Sequence, residues 1–143
     1  MTESTEVPAA AVFPDIEAAV GGYLAARPEL AGVPVGPARP AAFDGTTPLV
    51  VLIRDGGGYR EDEILDEGWL RIETYGPSVT AAHTLLRTVR ALLPGLTRTQ
   101  FSGFTVADVT EDEGLRGLRR LTDRNHPEFT RYCLNVRLLI HLQ

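Results

Sequence analysis

The fold is decided by a stretch near the C-terminus, Arg131-Tyr132-Cys133-Leu134-Asn135-Val136-Arg137-Leu138-Leu139-Ile140-His141-Leu142. Apolar residues recur there at every second position, which is the period of a β-strand with one face against a core. One face carries Tyr132, Leu134, Val136, Leu138, Ile140 and Leu142, and the other carries Arg131, Cys133, Asn135, Arg137 and His141. We expect a long antiparallel strand over 131–142 whose second face is too polar to be fully buried.

Working outward, three more stretches have strand character. The run Leu49-Val50-Val51-Leu52-Ile53 is typical of a strand buried on both faces in the middle of a sheet. Residues 69–75 alternate, with Leu70 and Ile72 opposite the more polar face of Trp69, Arg71, Glu73 and Tyr75. Residues 103–110 predict a strand with Phe104 and Val106 facing one way and Ala107 and Val109 the other. The proline-rich segment 33–40 predicts only a linker or an edge strand.

Helical periodicity occurs twice. A first amphipathic helix is expected to start after an Asp15 N-cap and to end before Pro28. A second helix follows the Gly76-Pro77 pair, with Pro77 at its first position, and is expected to stop at Pro94-Gly95. The leucines and arginines of 115–124 predict one or two further helical turns with a basic outer face.

Strands therefore cluster on either side of a helix and do not alternate with helices one for one. This order favours an α+β fold, a mixed and mainly antiparallel sheet with the two main helices packed on one face. We expect a flexible N-terminal arm over 1–13 and a single domain over 14–143.

Composition excludes several classes of function. The chain has 143 residues, its basic residues are all arginine, and its formal net charge is −5. The absence of lysine rules out P-loop, Schiff-base and kinase-type chemistry, and the acidic balance disfavours tight nucleic-acid binding. The single cysteine, Cys133, excludes an internal disulfide. No apolar run reaches the ~18 residues of a membrane span, so we expect an intracellular chain that is soluble when made.

Carboxylates concentrate in two places. The run Asp55-Gly56-Gly57-Gly58 is expected to break the preceding strand, and the connection after it carries Glu61, Asp62, Glu63, Asp66 and Glu67. A second group is Glu111, Asp112 and Glu113. These acids could hold Mg²⁺, but consecutive loop carboxylates more often form a solvated or interface surface. We expect no metal, cofactor or catalytic residue, and structural roles for His83, His126, His141 and Cys133.

The polar face of 69–75 leaves two interpretations open. Trp69 and Tyr75, on the same face as Arg71, form either a half-buried aromatic cover at a sheet edge or an anchor at a subunit contact, where such residues concentrate.

One family resemblance rests on the segment Gly68-Trp69-Leu70-Arg71-Ile72-Glu73-Thr74-Tyr75-Gly76-Pro77 and on the helix pattern Ala81, Ala82, Leu85, Leu86, Val89, Arg90 and Leu93. Together with the final alternating strand and the order of elements over roughly residues 14 to 142, it resembles tail terminator (tail completion) proteins of long-tailed bacteriophages. The resemblance implies a non-enzymatic virion protein of the neck region, assembled in the host cytoplasm. Such a protein forms a homo-hexameric ring that caps the tail tube, joins it to the head connector and lets DNA pass without specific binding.

In such a ring, the acids Glu61, Asp62, Glu63, Asp66, Glu67, Glu111, Asp112 and Glu113 would suit the lumen or ring contacts, because like charge keeps DNA from adhering. Subunit contacts would come from Trp69, Arg71, Tyr75, Arg116, Arg119 and Arg120. Three alternatives stay open: a connector stopper or other neck protein, a small metal-dependent hydrolase using the acidic loop, and a monomeric adaptor that binds a partner through its aromatic strand face.

Overall fold

The computed structural model describes residues 13–60, 65–111 and 117–142, and its sheet is built around the predicted C-terminal strand, β6 (Thr130–Leu142). Strand β3 (Leu65–Gly76) pairs antiparallel with one edge of β6 over the whole of its own length. On the other edge, β4 (Phe104–Glu111) pairs with the second half of β6 and β5 (Arg119–Leu121) with its beginning. The long antiparallel strand expected from sequence alternation is therefore confirmed.

The sheet continues beyond β3 through β2 (Leu49–Arg60), which is antiparallel to it, and β1 (Val35–Gly36), which is parallel to the start of β2. The strand order is β1-β2-β3-β6-β4, with β5 also on β6. The proline-rich segment thus supplies a two-residue edge strand. The mid-sheet placement of β2 holds only for its first residues, because β1 covers little of its outer edge and Ile53 is already 37% exposed.

Both helices lie on one face of the sheet, as the order of elements predicted. Helix α1 (Ile16–Ala25) is capped by Asp15, whose Oδ1 accepts a hydrogen bond from the Ala18 N–H at 3.0 Å. Helix α2 (Val79–Leu92) begins two residues later than expected, because Ser78 is the N-cap and its Oγ accepts from the Ala81 N–H at 3.0 Å. Pro77 therefore precedes the cap and does not occupy the first helical position.

Helix α2 ends at Leu92, two residues before the predicted stop at Pro94-Gly95. The chain passes from Leu92 directly into a 3₁₀ helix, Leu93–Arg98, which contains Pro94 and Gly95. Proline is tolerated in the first turn of a helix because the N–H that it lacks would have no partner there. The α-helix therefore ends next to the Pro-Gly pair, as predicted, and the chain continues as a 3₁₀ helix.

Two apolar clusters lie on opposite sides of the sheet. The main core joins α1, α2 and the 3₁₀ turns to the helix-facing residues of the strands, including Val50, Leu52, Leu70, Ile72, Leu134, Val136, Leu138 and Ile140. A smaller cluster on the other face contains Leu49, Val51, Tyr75 and Phe129, with Phe43 packed against it. One main core, with one small satellite, is consistent with the predicted single α+β domain.

The glycine run does not break β2, contrary to the sequence prediction. The strand continues to Arg60, and its register with β3 shifts between Arg54 and Gly57, which marks a β-bulge. Gly56 and Gly57 adopt φ values of 106° and 116°, a region that favours glycine, so the residues expected to terminate the strand allow it to continue. The expected acidic connection 59–67 is consequently the end of a long β2–β3 hairpin, with residues 61–64 outside the described part.

Two further expectations change in the structure, and a third lies almost entirely outside the described residues. Residues 119–121 form strand β5, not the helical turns expected over 115–124. A register shift in β4 between Val106 and Asp108 returns Val109 to the side of Phe104 and Val106, where it packs against the main core. The predicted N-terminal arm lies outside the described residues except for Phe13, whose ring meets that of Tyr59 edge to face at 4.7 Å.

The bulge provides a test of this hairpin. Substitution Gly57→Ala should lower the free energy of unfolding by about 2 kcal/mol or more, because it combines a strained positive φ with overlap between the new Cβ and the Glu67 carbonyl oxygen. Gly58→Ala is the matched control, since nothing lies within 4 Å of a Cβ at that position. Urea denaturation of both variants measures the difference, and equal effects would contradict a bulge at Gly57.

Candidate functional site

The helices leave the opposite side of the sheet uncovered, and we call this side the open face. It carries the odd-numbered residues of the adjoining parts of β2, β3 and β6. At one end, Phe43 and Phe129 cover Tyr75, with ring centroids 5.3 and 6.5 Å from it. Towards the other end, Trp69 and Arg137 are only half-buried. The open face is therefore the most extensive part of the described sheet that no helix covers.

A buried carboxylate lies at the centre of the open face. Glu73 is 5% exposed and has positive charge on both sides of it. Its Oε2 lies 2.8 Å from Nε of Arg71, and its Oε1 lies 3.5 Å from Nη1 of Arg131. Oε1 also accepts a hydrogen bond from the Tyr75 hydroxyl at 3.1 Å. One carboxylate thus pairs with two guanidinium groups, so Glu73, Arg71 and Arg131 together carry a net positive charge.

A third arginine reaches this cluster from the segment between β1 and β2. Nη1 of Arg39 donates to Oδ2 of Asp123 at 2.8 Å, and its guanidinium lies 5.7 Å from the Tyr75 ring centre and 5.3 Å from that of Phe129. The hydrogen bond from Arg39 is the main cause that holds the pKa of Asp123 below its usual value. Asp123 therefore stays ionised and fixes Arg39 over the open face.

These side chains line a solvent-open groove of about 350 Å³, which we call the arginine groove. Arg39, Arg71, Arg131, Glu73 and Tyr75 supply its polar groups, and Pro37, Val51 and Ile53 supply apolar wall. Sequence analysis selected Arg71 and Tyr75 but not Arg39, Arg131 or Glu73 as site residues. Arg39 and Asp123 are 84 positions apart, so no local pattern could have joined them.

The surroundings of the groove raise the pKa values of Arg131 and Tyr75. Burial disfavours the charged form of Arg131, but contact with Tyr75 and the charge of Glu73 outweigh burial, so the pKa of Arg131 lies above its ordinary value. Burial raises the pKa of Tyr75, and the charge of Glu73 adds to this effect while Arg131 opposes it. Arg131 is therefore charged and the Tyr75 phenol neutral at physiological pH.

The acids predicted for a lumen lie in separate places where they are described. Asp66 is 1% exposed on the helix side of β3, and its two oxygens accept from Nη1 and Nη2 of Arg54 at 3.3 and 3.2 Å. Glu67 points to the open face, where its Oε1 is 3.9 Å from Nη1 of Arg137. Glu111 is bound by Arg90 through both oxygens. The predicted positions Glu61, Asp62, Glu63, Asp112 and Glu113 lie outside the described residues.

The predicted subunit-contact residues likewise lie in separate places. Trp69 and Arg71 are half-buried on the open face, which is the position that the alternation of β3 gave them. Tyr75 is 1% exposed and belongs to the satellite cluster, so its ring is not a surface anchor. On β5, Arg119 pairs in register with Cys133, whereas Arg120 is exposed. Arg116 lies outside the described residues.

Of the remaining candidate groups, Cys133, His126 and His83 pack against neighbouring side chains, whereas His141 is exposed. Cys133 is fully buried, and burial raises the pKa of its thiol, which disfavours the reactive thiolate. The His126 ring stacks on Phe129 and the His83 ring on Tyr132. Among the residues that the structure describes, no three histidine, cysteine or carboxylate side chains form a group that could hold a metal ion. None of the described helices has the length and apolar character needed to cross a membrane.

The fold and the site together define an α+β domain with one helix-covered sheet face and one open face rich in arginine. Comparison of the chain with protein-family models and with curated proteins finds no match.

The central role of Glu73 can be tested by removing its charge. Glu73→Gln keeps the shape of the side chain but leaves Arg71 and Arg131 without their shared counter-charge, and should reduce the free energy of unfolding by about 2 kcal/mol. Glu128→Gln, at a side chain that is 62% exposed, should change stability by less than about 0.5 kcal/mol. Denaturant titration at pH 7 compares them. A Glu73 variant as stable as the control would show that the carboxylate does not organise this face.

Tyr75 gives stability a specific dependence on alkaline pH. Because its pKa is raised in the folded state, the neutral phenol favours the fold below the unfolded value of about 10, and this contribution is lost as pH rises towards the folded value. The free energy of unfolding should therefore fall above pH ~10, and Tyr75→Phe should remove that part of the fall. Tyr59→Phe, at an exposed ring, is the control and should retain it. Parallel pH profiles for wild type and Tyr75→Phe would contradict the assignment.

Proposed function

We propose that this chain is a structural virion protein, a tail terminator of a long-tailed bacteriophage. Six copies form a ring that caps the tail tube and joins it to the head connector, and DNA passes through its lumen. The protein acts by assembly and catalyses no reaction. It resides in the neck region of the virion after assembly in the host cytoplasm.

The observation that carries the proposal is the unit formed by β3 and α2. Residues Gly68 to Pro77, on which the family resemblance rests, form a strand ending in Tyr75-Gly76, and α2 packs back onto the sheet directly after it. A Cβ at Gly76 would lie 2.8 Å from the backbone nitrogen of Ala82, so the glycine permits this close return. The resemblance thus falls on the segment that organises the domain.

The open face is consistent with a subunit that assembles. An antiparallel sheet can leave one face uncovered, and in this domain the helices cover only one, so the other face is accessible to a neighbouring subunit. The half-buried Trp69 and Arg71 are residue types that concentrate in protein interfaces. In a ring of identical subunits, each such surface meets a different surface on the next copy, as in any heterologous contact.

The charge of the chain also suits a DNA passage. With a net charge of −5 and no lysine, the assembled ring would repel the phosphate backbone. Among the predicted lumen acids that the structure describes, Asp66 is buried and paired with Arg54, and Glu111 is paired with Arg90, so the proposed lumen relies mainly on the remaining acids. Glu61 to Glu63 lie at the end of the β2–β3 hairpin in sequence, and Glu111 to Glu113 begin at the end of β4.

The direct experiment is the mass of the purified protein by sedimentation velocity over a range of concentrations, with and without the cognate tail-tube protein. A hexamer of 15.6 kDa chains, or a monomer that becomes one on the tube, is the expected result. A ring that binds the head connector but not the tube would instead identify a stopper or other neck protein. A monomer that ignores both partners and is stabilised by Mg²⁺ or Mn²⁺ would overturn the proposal in favour of the hydrolase.

A variant pair refines the test of the ring. Combined Arg119→Gln and Arg120→Gln substitutions on edge strand β5 should lower the apparent hexamer affinity at least about tenfold, because charged residues at an interface rim steer association and fix partner register. Combined Arg87→Gln and Arg98→Gln, at exposed positions on α2 and on the 3₁₀ helix after it, is the control that removes the same charge. Unchanged assembly in the double variant would remove these arginines from the contact.

A further inference from the structure

Two donors in the arginine groove have no acceptor. Nε of Arg71 and Nε of Arg131 are buried and make no hydrogen bond within the described residues. Nε of Arg71 is close to Oε2 of Glu73, at 2.8 Å, but its N–H does not point along that contact. Buried donors of charged groups are costly to leave unpaired. The side chains of Arg71 and Arg131 are 33% and 17% exposed, so an acceptor in the groove can reach their guanidinium groups, and turning either Nε–H onto it would relieve that cost.

The groove also has an excess of positive charge. Arg39, Arg71 and Arg131 face a single carboxylate, Glu73, at its floor, and Asp123 engages Arg39 at its outer end. The rest of the molecule has the opposite balance, since the whole chain carries a net charge of −5. A local basic site in an acidic protein selects a negatively charged partner by electrostatic complementarity.

The shape of the groove limits what that partner can be. Its volume of about 350 Å³ and its apolar wall of Pro37, Val51 and Ile53 fit a side chain or short peptide segment. A nucleic-acid backbone requires an extended basic surface that neutralises successive phosphates. The adjacent carboxylate of Glu73 further disfavours a doubly charged phosphate. A planar carboxylate matches the fork of a guanidinium and carries one charge.

We propose that the arginine groove is a docking site for an acidic peptide segment of a partner protein, with one of its carboxylates accepting from Arg71 and Arg131 while Ile53 and Val51 contact its aliphatic part. This goes beyond the proposed function, because it requires neither a ring nor a tail tube. The Arg39–Asp123 ion pair holds the outer wall of the groove in place for that segment.

The chain contains its own reporter for this binding. Trp69 is the only tryptophan, and it lies on the open face two residues from Arg71, roughly 7 Å along the strand. The probe is the blocked tripeptide acetyl-Glu-Asp-Glu-amide, and the matched control is acetyl-Gln-Asn-Gln-amide. Titration at low ionic strength should give a saturable change in Trp69 emission with the acidic peptide alone, and added salt should weaken it.

Variants assign the effect to the groove. Arg71→Gln and Arg131→Gln should each weaken acidic-peptide binding at least fivefold, whereas Arg98→Gln should leave it unchanged. Arg71→Lys retains the charge but loses the fork, and should show an intermediate loss. Circular dichroism and the denaturation midpoint establish whether each variant is folded. If Arg131→Gln does not fold, Arg71→Lys still tests the site.

The competing occupants give distinct outcomes. Equal binding of the acidic and amide peptides, or binding unaffected by Arg71→Lys and Arg71→Gln, would overturn the docking site. Saturation by inorganic phosphate or by a short single-stranded oligonucleotide at the same concentration as the acidic peptide would also overturn it. Because the titration is read on the free protein, its result is separate from whether the chain forms a hexamer on a tail tube.

Discussion

The antiparallel pairing of β6 with β3 is the interaction on which the rest of the structure depends. The two strands stay in register from Leu65 opposite His141 to Gly76 opposite Thr130, without a bulge. Because side chains alternate on both strands, an uninterrupted register sends their apolar residues to the same side and their polar residues to the other. A shift of one residue in this register would turn the apolar residues of β6 to the open face and its polar residues towards α1 and α2.

This register also creates the site. Glu73 lies opposite Cys133, and Arg71 lies opposite Asn135, so the polar residues of two strands converge on the open face. A buried carboxylate costs desolvation energy that only close positive partners can offset. Arg71 and Arg131 provide that offset from opposite sides, and Tyr75 adds a hydrogen bond. The arginine groove is therefore a consequence of strand pairing, completed by Arg39 from a segment distant in sequence.

Sequence patterns predicted the elements whose signal is local. The alternation of 131–142, the periodicity of α2 and the Asp15 cap each depend on residues close in the chain, and all three were found. The β2–β3 hairpin was missed because glycines usually mark turns, whereas these residues continue as a bulged strand paired with a partner that local periodicity does not reveal. For the same reason Asp66 and Glu67, adjacent in sequence, were grouped as one acidic surface although they point to opposite sides of β3.

The sheet edges show why contact through the open face is favoured over strand addition. An exposed edge with free N–H groups invites pairing with another chain. On β2, beyond the short β1, Oε1 of Glu17 accepts a hydrogen bond from the Arg54 N–H at 2.6 Å, so a carboxylate from α1 occupies the next position of the ladder. The bulges in β2 and β4 disturb the regular pairing that an added strand would need on the two outer strands. With both edges altered in this way, the sheet offers less to strand addition than to side-chain contact on the open face, which is the contact that the proposed peptide docking would use.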